Sequence, residues 1–209
     1  MSILIAYSSN AGDSKKKKFH SEIKFGAEAG LNLPKIIFSE QNGSNPNSLF
    51  ATAWHVGGYT NIKMTDKFSF QLELLYSVKG DKVTNPLGGS EYFIYQYDYI
   101  EMPIQIKYNI CNHFTIVGGL YTGYLIAFSS NVTNTTYSYA PNTSYYDSFN
   151  KLDIGATLGI GYQLNDGFNI AIKYSQGFTS IVPTQDSNGN PIISEYNMVF
   201  SLCLGWTFK

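Results

Sequence analysis

The sequence predicts an all-β protein, an eight-stranded antiparallel up-and-down transmembrane β-barrel with short turns at one end and long loops at the other. Apolar and polar residues alternate with a period of two along eight segments, as expected of strands whose two faces meet different surroundings. Charged residues make up only 14% of the 209-residue chain and aromatic residues 16%, whereas a soluble domain has about 25% charged residues. No run of about 20 apolar residues exists, so a transmembrane helix is excluded.

Residues 68–79 show the alternation in its clearest form. One face of this segment is apolar and consists of Phe68, Phe70, Leu72, Leu74, Tyr76 and Val78. The other face is polar except for Leu75 and contains Ser69, Gln71, Glu73, Ser77 and Lys79. A soluble barrel would place its charges outside, but here the charged face of the strands also carries glycines, which make room in a narrow interior. The apolar face is therefore predicted to contact lipid.

The other seven predicted strands repeat this pattern and cover residues 23–31, 53–63, 100–110, 114–128, 152–164, 168–179 and 196–208. We therefore expect one barrel domain over residues 23–209. Residues 1–22 are expected to be a signal-peptide remnant or a periplasmic leader, because Ser9 and Ala11 fit the small residues that precede a signal-peptidase cut. A disordered tail is the alternative interpretation.

The connections follow the rhythm of an outer-membrane barrel. Three are short, at residues 64–67, 111–113 and 165–167. Four are long and polar, at residues 32–51, 80–93, 129–150 and 180–195. Short periplasmic turns and longer external loops are typical of bacterial outer-membrane barrels. Four loops and three turns give an even number of strands, which allows the sheet to close so that lipid meets no open edge.

Aromatic residues are predicted to form two belts at the membrane surfaces. The belt near the short turns consists of Phe68, Tyr108, Phe114, Tyr162, Phe168, Trp206 and Phe208. The belt near the long loops consists of Tyr76, Tyr124, Phe128, Tyr174, Phe178 and Tyr196. The bacterial outer membrane is therefore the predicted location.

The composition and motifs exclude several functional classes. The net charge of −1 and the absence of arginine argue against nucleic acid as a partner. No nucleophile motif accompanies the three histidines, and only His55 is predicted to lie inside the barrel, so we expect no enzyme activity and no cofactor. Cys111 and Cys203 are expected to be plain thiols, because their strands should lie on different sides of the barrel.

Eight charged residues are predicted to form a polar network in the interior. They are Lys24, Glu28, Glu73, Lys79, Glu101, Lys107, Asp153 and Lys173. The antiparallel register is expected to bring Glu101 near Lys79, and Glu73 near Lys107. An eight-stranded barrel is just wide enough for side chains, so these charges should plug the interior. A narrow channel for ions or very small solutes is the alternative hypothesis.

The long loop at residues 129–150 supplies a candidate extracellular contact, consisting of Tyr137, Tyr139, Tyr145 and Tyr146. Tyrosine offers a large contact area at low entropic cost. A second tyrosine run, Tyr92, Tyr95, Tyr97 and Tyr99, rises beside this loop. The alternative interpretation is that these strands extend beyond the membrane and stack on one another.

The residues also resemble a known family, most specifically in the segments Gln71–Gly80 and Tyr99–Tyr108. Over about residues 23–208 the chain resembles the PorT-like outer-membrane β-barrel domain of Bacteroidetes-type bacteria, small barrels similar to OmpA and OmpX. It departs from the usual terminal aromatic residue, because Lys209 follows Phe208. The resemblance implies a barrel among outer-membrane lipid and lipopolysaccharide. It further suggests a non-enzymatic docking or accessory protein that contacts another envelope protein, and a secretion role applies only to some members.

Overall fold

The computed structural model describes residues 3–6, 20–39, 48–84, 92–133, 138–139, 148–164, 167–183 and 194–208. These residues form eleven strands: β1 (Ile3–Ala6), β2 (His20–Ser39), β3 (Ser48–Leu49), β4 (Ala53–Lys63), β5 (Phe68–Thr84), β6 (Tyr92–Asn109), β7 (Phe114–Thr133), β8 (Ser138–Tyr139), β9 (Leu152–Gln163), β10 (Phe168–Gly177) and β11 (Ser194–Thr207). None of the described segments is a helix of the length and apolarity that would let it cross a membrane.

Eight long strands form a closed ring in the order β2, β4, β5, β6, β7, β9, β10 and β11, and every neighbouring pair is antiparallel. The ring closes because β2 pairs with β11 on one side and with β4 on the other. The remaining strands are short additions: β1 pairs with the start of β2, β3 with the end of β5, and β8 with β7. The predicted eight-stranded barrel is confirmed.

The strands run further into the loop side than the alternation predicted. β2 continues to Ser39, β5 to Thr84 and β7 to Thr133, while β6 already begins at Tyr92. The loops expected at residues 32–51, 80–93 and 129–150 were therefore too long. On β5, β6 and β7 the physical reason is that no lipid surrounds these ends, so their outward positions do not need to be apolar and the alternation fades although the hydrogen-bonded ladder continues. On β2 the outward Leu33 and Ile37 are still apolar, and the alternation is lost because the inward Ile36 is apolar as well.

The outer surface of the barrel is an apolar band. Large hydrophobic side chains are exposed on all eight long strands, as shown by Leu31, Trp54, Leu74, Ile106, Leu120, Leu158, Ile172 and Leu204. Such a contiguous exposed surface would be unfavourable in water and fits lipid contact. On β6 the outward row changes from Ile100 to Asp98 and Gln96, which marks the loop-side limit of the band.

Val78 of β5, which was predicted to face lipid, is buried. Most of the other buried residues lie inside the barrel. They are polar or charged in its middle, and an apolar cluster fills its loop-side end. A soluble barrel has the opposite arrangement, with its charges outside and its apolar side chains inside. In this chain the buried charges are concentrated in the interior.

Candidate functional site in the barrel interior

The first charged layer of the interior centres on Lys173 of β10. Its Nζ donates to Glu28 Oε1 at 2.8 Å and to Glu73 Oε1 at 2.9 Å. Glu73 also accepts a hydrogen bond of 2.6 Å from Gln71 Nε2. All four side chains are buried, so Lys173 joins β2 and β5 across the interior through charge-assisted hydrogen bonds.

The second charged layer lies nearer the loops and centres on Lys79 of β5. Its ammonium contacts the carboxylate of Glu101 and lies 2.8 Å from Asp153 Oδ2. Asp153 also accepts a hydrogen bond of 2.9 Å from Asn197 Nδ2. The Lys79 ammonium lies 4.2 Å from the ring centroid of Tyr121, which adds a cation–π contact.

Two of the predicted network residues have other surroundings. Lys24 is half-exposed and pairs with Glu22 at 3.3 Å, near the short-turn end. Lys107 forms no ion pair within the described residues, and its ammonium lies 5.7 Å from the ring centroid of Tyr59. Lys107 forms no ion pair with Glu73, because Lys173 reaches Glu73 from across the barrel and pairs with its carboxylate.

A group centred on His55 lies beside the first charged layer. His55 Nδ1 is hydrogen-bonded to Asn32 Oδ1 at 2.8 Å, and His55 Nε2 lies 3.5 Å from Glu28 Oε1. Cys203 lies against the same carboxylate, and its Sγ is within 4.8 Å of the ligand atoms of Glu28 and His55. The sequence analysis treated His55 as an ordinary interior residue and Cys203 as a plain thiol. The sequence did contain one indication of this cluster, because Glu28, His55 and Cys203 all occupy inward positions on strands that become neighbours when β2 closes the ring.

The interior opens at the short-turn end into a vestibule of about 590 Å³. Its lining is polar and includes Tyr59, Asn61, Gln71, Lys107, Asn169 and Lys173. A second cavity, of about 40 Å³, lies between the two charged layers and is bordered by His55, Lys79 and Cys203 among others. The interior therefore narrows steeply from the short-turn end towards the loops.

An apolar plug closes the loop-side end of the interior. We use this name for the cluster of Ile36, Tyr97, Tyr99, Leu125, Phe128 and Ile181. Tyr99 and Leu125 are fully buried. The segment after β10 holds the plug in place, since the Ile181 amide donates to the Glu195 carbonyl and its carbonyl accepts from the Asn150 amide, both at 2.7 Å. Tyr97 and Tyr99, which the sequence placed beside the long loop, thus point into the barrel. Phe128 is also buried in the plug, so its predicted place in the loop-side aromatic belt was wrong. A register shift between Asp98 and Tyr99 inverts the alternation on this part of β7.

Most of the predicted extracellular contact lies outside the residues that the structure describes, because Tyr137, Tyr145 and Tyr146 are not among them. Tyr139 belongs to β8, whose backbone pairs it with Ser130 of β7. This contact remains a prediction.

The closed ring, the apolar outer band and the charged interior define a transmembrane β-barrel of the outer membrane. The sequence profile described as the outer membrane protein beta-barrel domain matches residues 9–182. The chain therefore belongs to this family of outer-membrane β-barrel proteins. No curated protein sequence matches the chain significantly.

Solved structures with a similar fold share little sequence with the chain. Neisserial surface protein A is 10% identical, with a TM-score of 0.51 over 88% of this chain and 97% of that one. The Ail attachment invasion locus protein of Yersinia pestis, solved with the heparin analogue sucrose octasulfate, is 10% identical, with a TM-score of 0.47 over 89% and 99%. OprG of Pseudomonas aeruginosa is 16% identical, with a TM-score of 0.41 over 88% and 95%. At such identities the likeness concerns the fold alone.

Proposed function

We propose that this protein is a non-conducting, non-enzymatic outer-membrane barrel whose loop side docks another component of the cell envelope. The observation that carries the proposal is the apolar plug, which closes the interior at the loop side above two layers of ion pairs. A protein that conducts solutes through its interior needs a continuous polar path. In this barrel, buried ion pairs cross the interior and buried apolar side chains follow them at the loop side.

The strands that extend on the loop side could form a docking surface for a partner. β5, β6 and β7 extend beyond the apolar band as one ladder, with pairs from Gly80↔Gln96 to Thr84↔Tyr92 and on to Thr133 of β7. The four residue steps from Gly80 to Thr84, at about 3.3 Å each, lengthen this ladder by roughly 13 Å. A rigid, polar extension of this kind supports a role in recognition, and the tyrosines predicted in the neighbouring loop would add contact area.

The resemblance to PorT-like domains supports the same proposal. Some members of that family are linked to secretion or gliding assemblies, which suggests an envelope protein as the partner. The partner would contact the loop side or the lipid-facing wall. Outer-membrane lipid, including lipopolysaccharide, would surround the wall elsewhere.

A narrow channel is the second candidate, and the vestibule of about 590 Å³ at the short-turn end favours it. A solute could enter from that end as far as the first charged layer. To pass further it would need to displace Lys173 from two carboxylates and then open the apolar plug. The cost of breaking such buried pairs, about 3–5 kcal/mol each, disfavours spontaneous conduction.

The proposal is tested by purification from the native envelope in a gentle detergent, followed by mass spectrometry of the associated proteins. A variant in which residues 134–147 are replaced by a short Gly-Ser linker should lose a stoichiometric partner that the wild type retains. A matched variant with residues 185–192 shortened controls for general loop damage. Isolation of the wild type as a solitary barrel, also after chemical cross-linking in cells, would overturn the docking proposal.

A further inference from the structure

Three potential ligand side chains converge on one point of the interior wall. Gly30 of β2 lies between His55 of β4 and Cys203 of β11, since it is the register partner of both. Glu28 occupies the neighbouring inward position of β2. A Cβ at position 30 would collide with the imidazole ring of His55, so the glycine provides the space in which the side chains meet. Their ligand atoms lie within 4.8 Å of one another.

The hydrogen bonds around Asn32 determine which nitrogen of His55 is available. Asn32 Nδ2 donates to the carbonyls of Trp54 and Val78 at 3.3 and 3.0 Å. This fixes the amide orientation, so Asn32 Oδ1 faces His55 Nδ1 as an acceptor and Nδ1 must carry the proton. His55 Nε2 is then left with its lone pair exposed to the cluster.

That lone pair has no hydrogen-bond partner, although His55 is only 4% exposed. It faces Glu28 Oε1, a second acceptor, at 3.5 Å. Two acceptors that face each other in a buried site repel unless a cation or a proton lies between them. A proton or a cation between His55 Nε2 and Glu28 Oε1 would remove this repulsion.

We propose that Glu28, His55 and Cys203 bind one divalent transition-metal ion of the zinc class. Carboxylate oxygen, imidazole nitrogen and thiolate sulfur are together the donor set that such an ion prefers. Ligand atoms around a tetrahedral ion at 2.0–2.3 Å are about 3.3–3.8 Å apart. The separation of 3.5 Å between His55 Nε2 and Glu28 Oε1 already fits, and small side-chain rotations would bring in Cys203.

The surroundings match those of metal sites in two further respects. Asn32 orients His55 through its second ring nitrogen, as outer-sphere partners of metal-bound histidines do. Lys173, which now contacts Glu28, has an alternative partner in Glu73 at 2.9 Å and can stay paired when a metal engages Glu28. Glu28 also lines the vestibule, which gives an ion an entry path from the short-turn end.

The charge balance favours uptake of a cation. The two charged layers and the adjacent Lys107 contribute four carboxylates (Glu28, Glu73, Glu101 and Asp153) and three ammoniums (Lys79, Lys107 and Lys173). Asp81 of β5 is a further buried carboxylate, so negative charge is in excess. A divalent ion that binds while Cys203 releases its thiol proton to water adds one positive charge. This reduces the excess, which lowers the cost of burying the cation.

The test uses the full-length Cys111→Ser protein without a polyhistidine tag, folded in detergent, because Cys111 is an exposed thiol that could bind metal by itself. Titration with Co²⁺ is expected to saturate at one ion per barrel with a thiolate-to-cobalt charge-transfer band. In this background Cys203→Ser should lose the band, and Cys203→Ser and His55→Gln should each weaken binding at least tenfold. The matched control His113→Gln, which changes an exposed turn histidine, should retain both.

A second measurement avoids substitutions within the site. X-ray absorption of the Zn²⁺-loaded Cys111→Ser protein should show one sulfur at about 2.3 Å together with nitrogen and oxygen at about 2.0–2.2 Å. A shell without sulfur overturns the proposal, as does a Co²⁺ titration without a charge-transfer band.

Discussion

Lys79 Nζ lies 2.8 Å from Asp153 Oδ2 and joins β5 to β9 across the interior of the barrel. The same ammonium contacts Glu101 of β6, so one buried cation serves two carboxylates from other strands. Together with the pairing of Lys173, Glu28 and Glu73, this contact replaces the apolar packing of an ordinary core. Ion pairs inside the barrel and apolar contacts with lipid outside it thus both stabilise the fold.

Replacement of Lys79 by methionine should destabilise the barrel strongly. Two buried carboxylates would lose their cation, and removal of one partner from a buried pair typically costs about 3–5 kcal/mol. The free energy of unfolding can be measured by guanidinium titration in lipid vesicles. Lys67→Met, in the exposed turn after β4, is the matched control and should change the unfolding free energy little. Equal stabilities of the two variants would show that the interior ion pairs contribute nothing.

A charge on the outer wall should be costly in proportion to its depth. Leu158 is 63% exposed in the middle of β9, and Ile110 is 58% exposed at the turn after β6. Leu158→Lys is expected to cost about 2–4 kcal/mol of folding free energy in vesicles, whereas Ile110→Lys should cost about 0–1 kcal/mol. Since both side chains are similarly exposed, a soluble protein would tolerate both changes alike, and that result would argue against lipid contact.

The two cysteines should report which end of the barrel faces the periplasm. Hydrogen bonds from the backbone amides of His113 and Phe114 lower the pKa of the exposed Cys111 thiol, so it should react readily near neutral pH. A large maleimide is expected to label Cys111 only after the outer membrane is permeabilised. Cys203 is buried and should react only when the barrel is unfolded. Labelling of Cys111 in intact cells would place the short turns outside.

The sequence predicts the barrel itself well, because lipid imposes a requirement on every second residue. The alternation along residues 68–79 and the short turn at residues 64–67 could therefore be located without a structure. The loop-side extensions of β2, β5, β6 and β7 could not be located from the sequence. Outside the membrane the ladder needs only backbone hydrogen bonds, which leave no such pattern in the side chains.

Contacts across the interior were harder to predict than contacts along neighbouring strands. In the register of β5 with β6, Glu101 lies opposite Leu75 and Lys107 opposite Ser69. Lys79 lies four residues after Leu75, and Glu73 lies four residues after Ser69. The two expected contacts, Lys79 with Glu101 and Glu73 with Lys107, therefore have the same offset along β5. Only Lys79 and Glu101 meet, because Lys173 reaches Glu73 from the far side. Which residues of opposite strands lie at the same level depends on the barrel shear, which the alternation of side chains does not reveal.

The convergence of Glu28, His55 and Cys203 was missed for a related reason. The sequence places the three residues far apart, and their proximity arises only when β2 closes the ring between β4 and β11. Single residues of these types are common inside barrels. Their joint presence around one glycine became apparent only with the register.

Planar-bilayer recording of the full-length protein tests most directly the claim that the interior is closed. The plug and the two charged layers predict no stepwise current above that of the protein-free bilayer, at either polarity. A variant that removes the plug's large side chains, Tyr97→Ala with Phe128→Ala, serves as the comparison and should show whether the plug alone blocks the path. Stable unitary steps from the wild-type protein would contradict the account and make the barrel a channel.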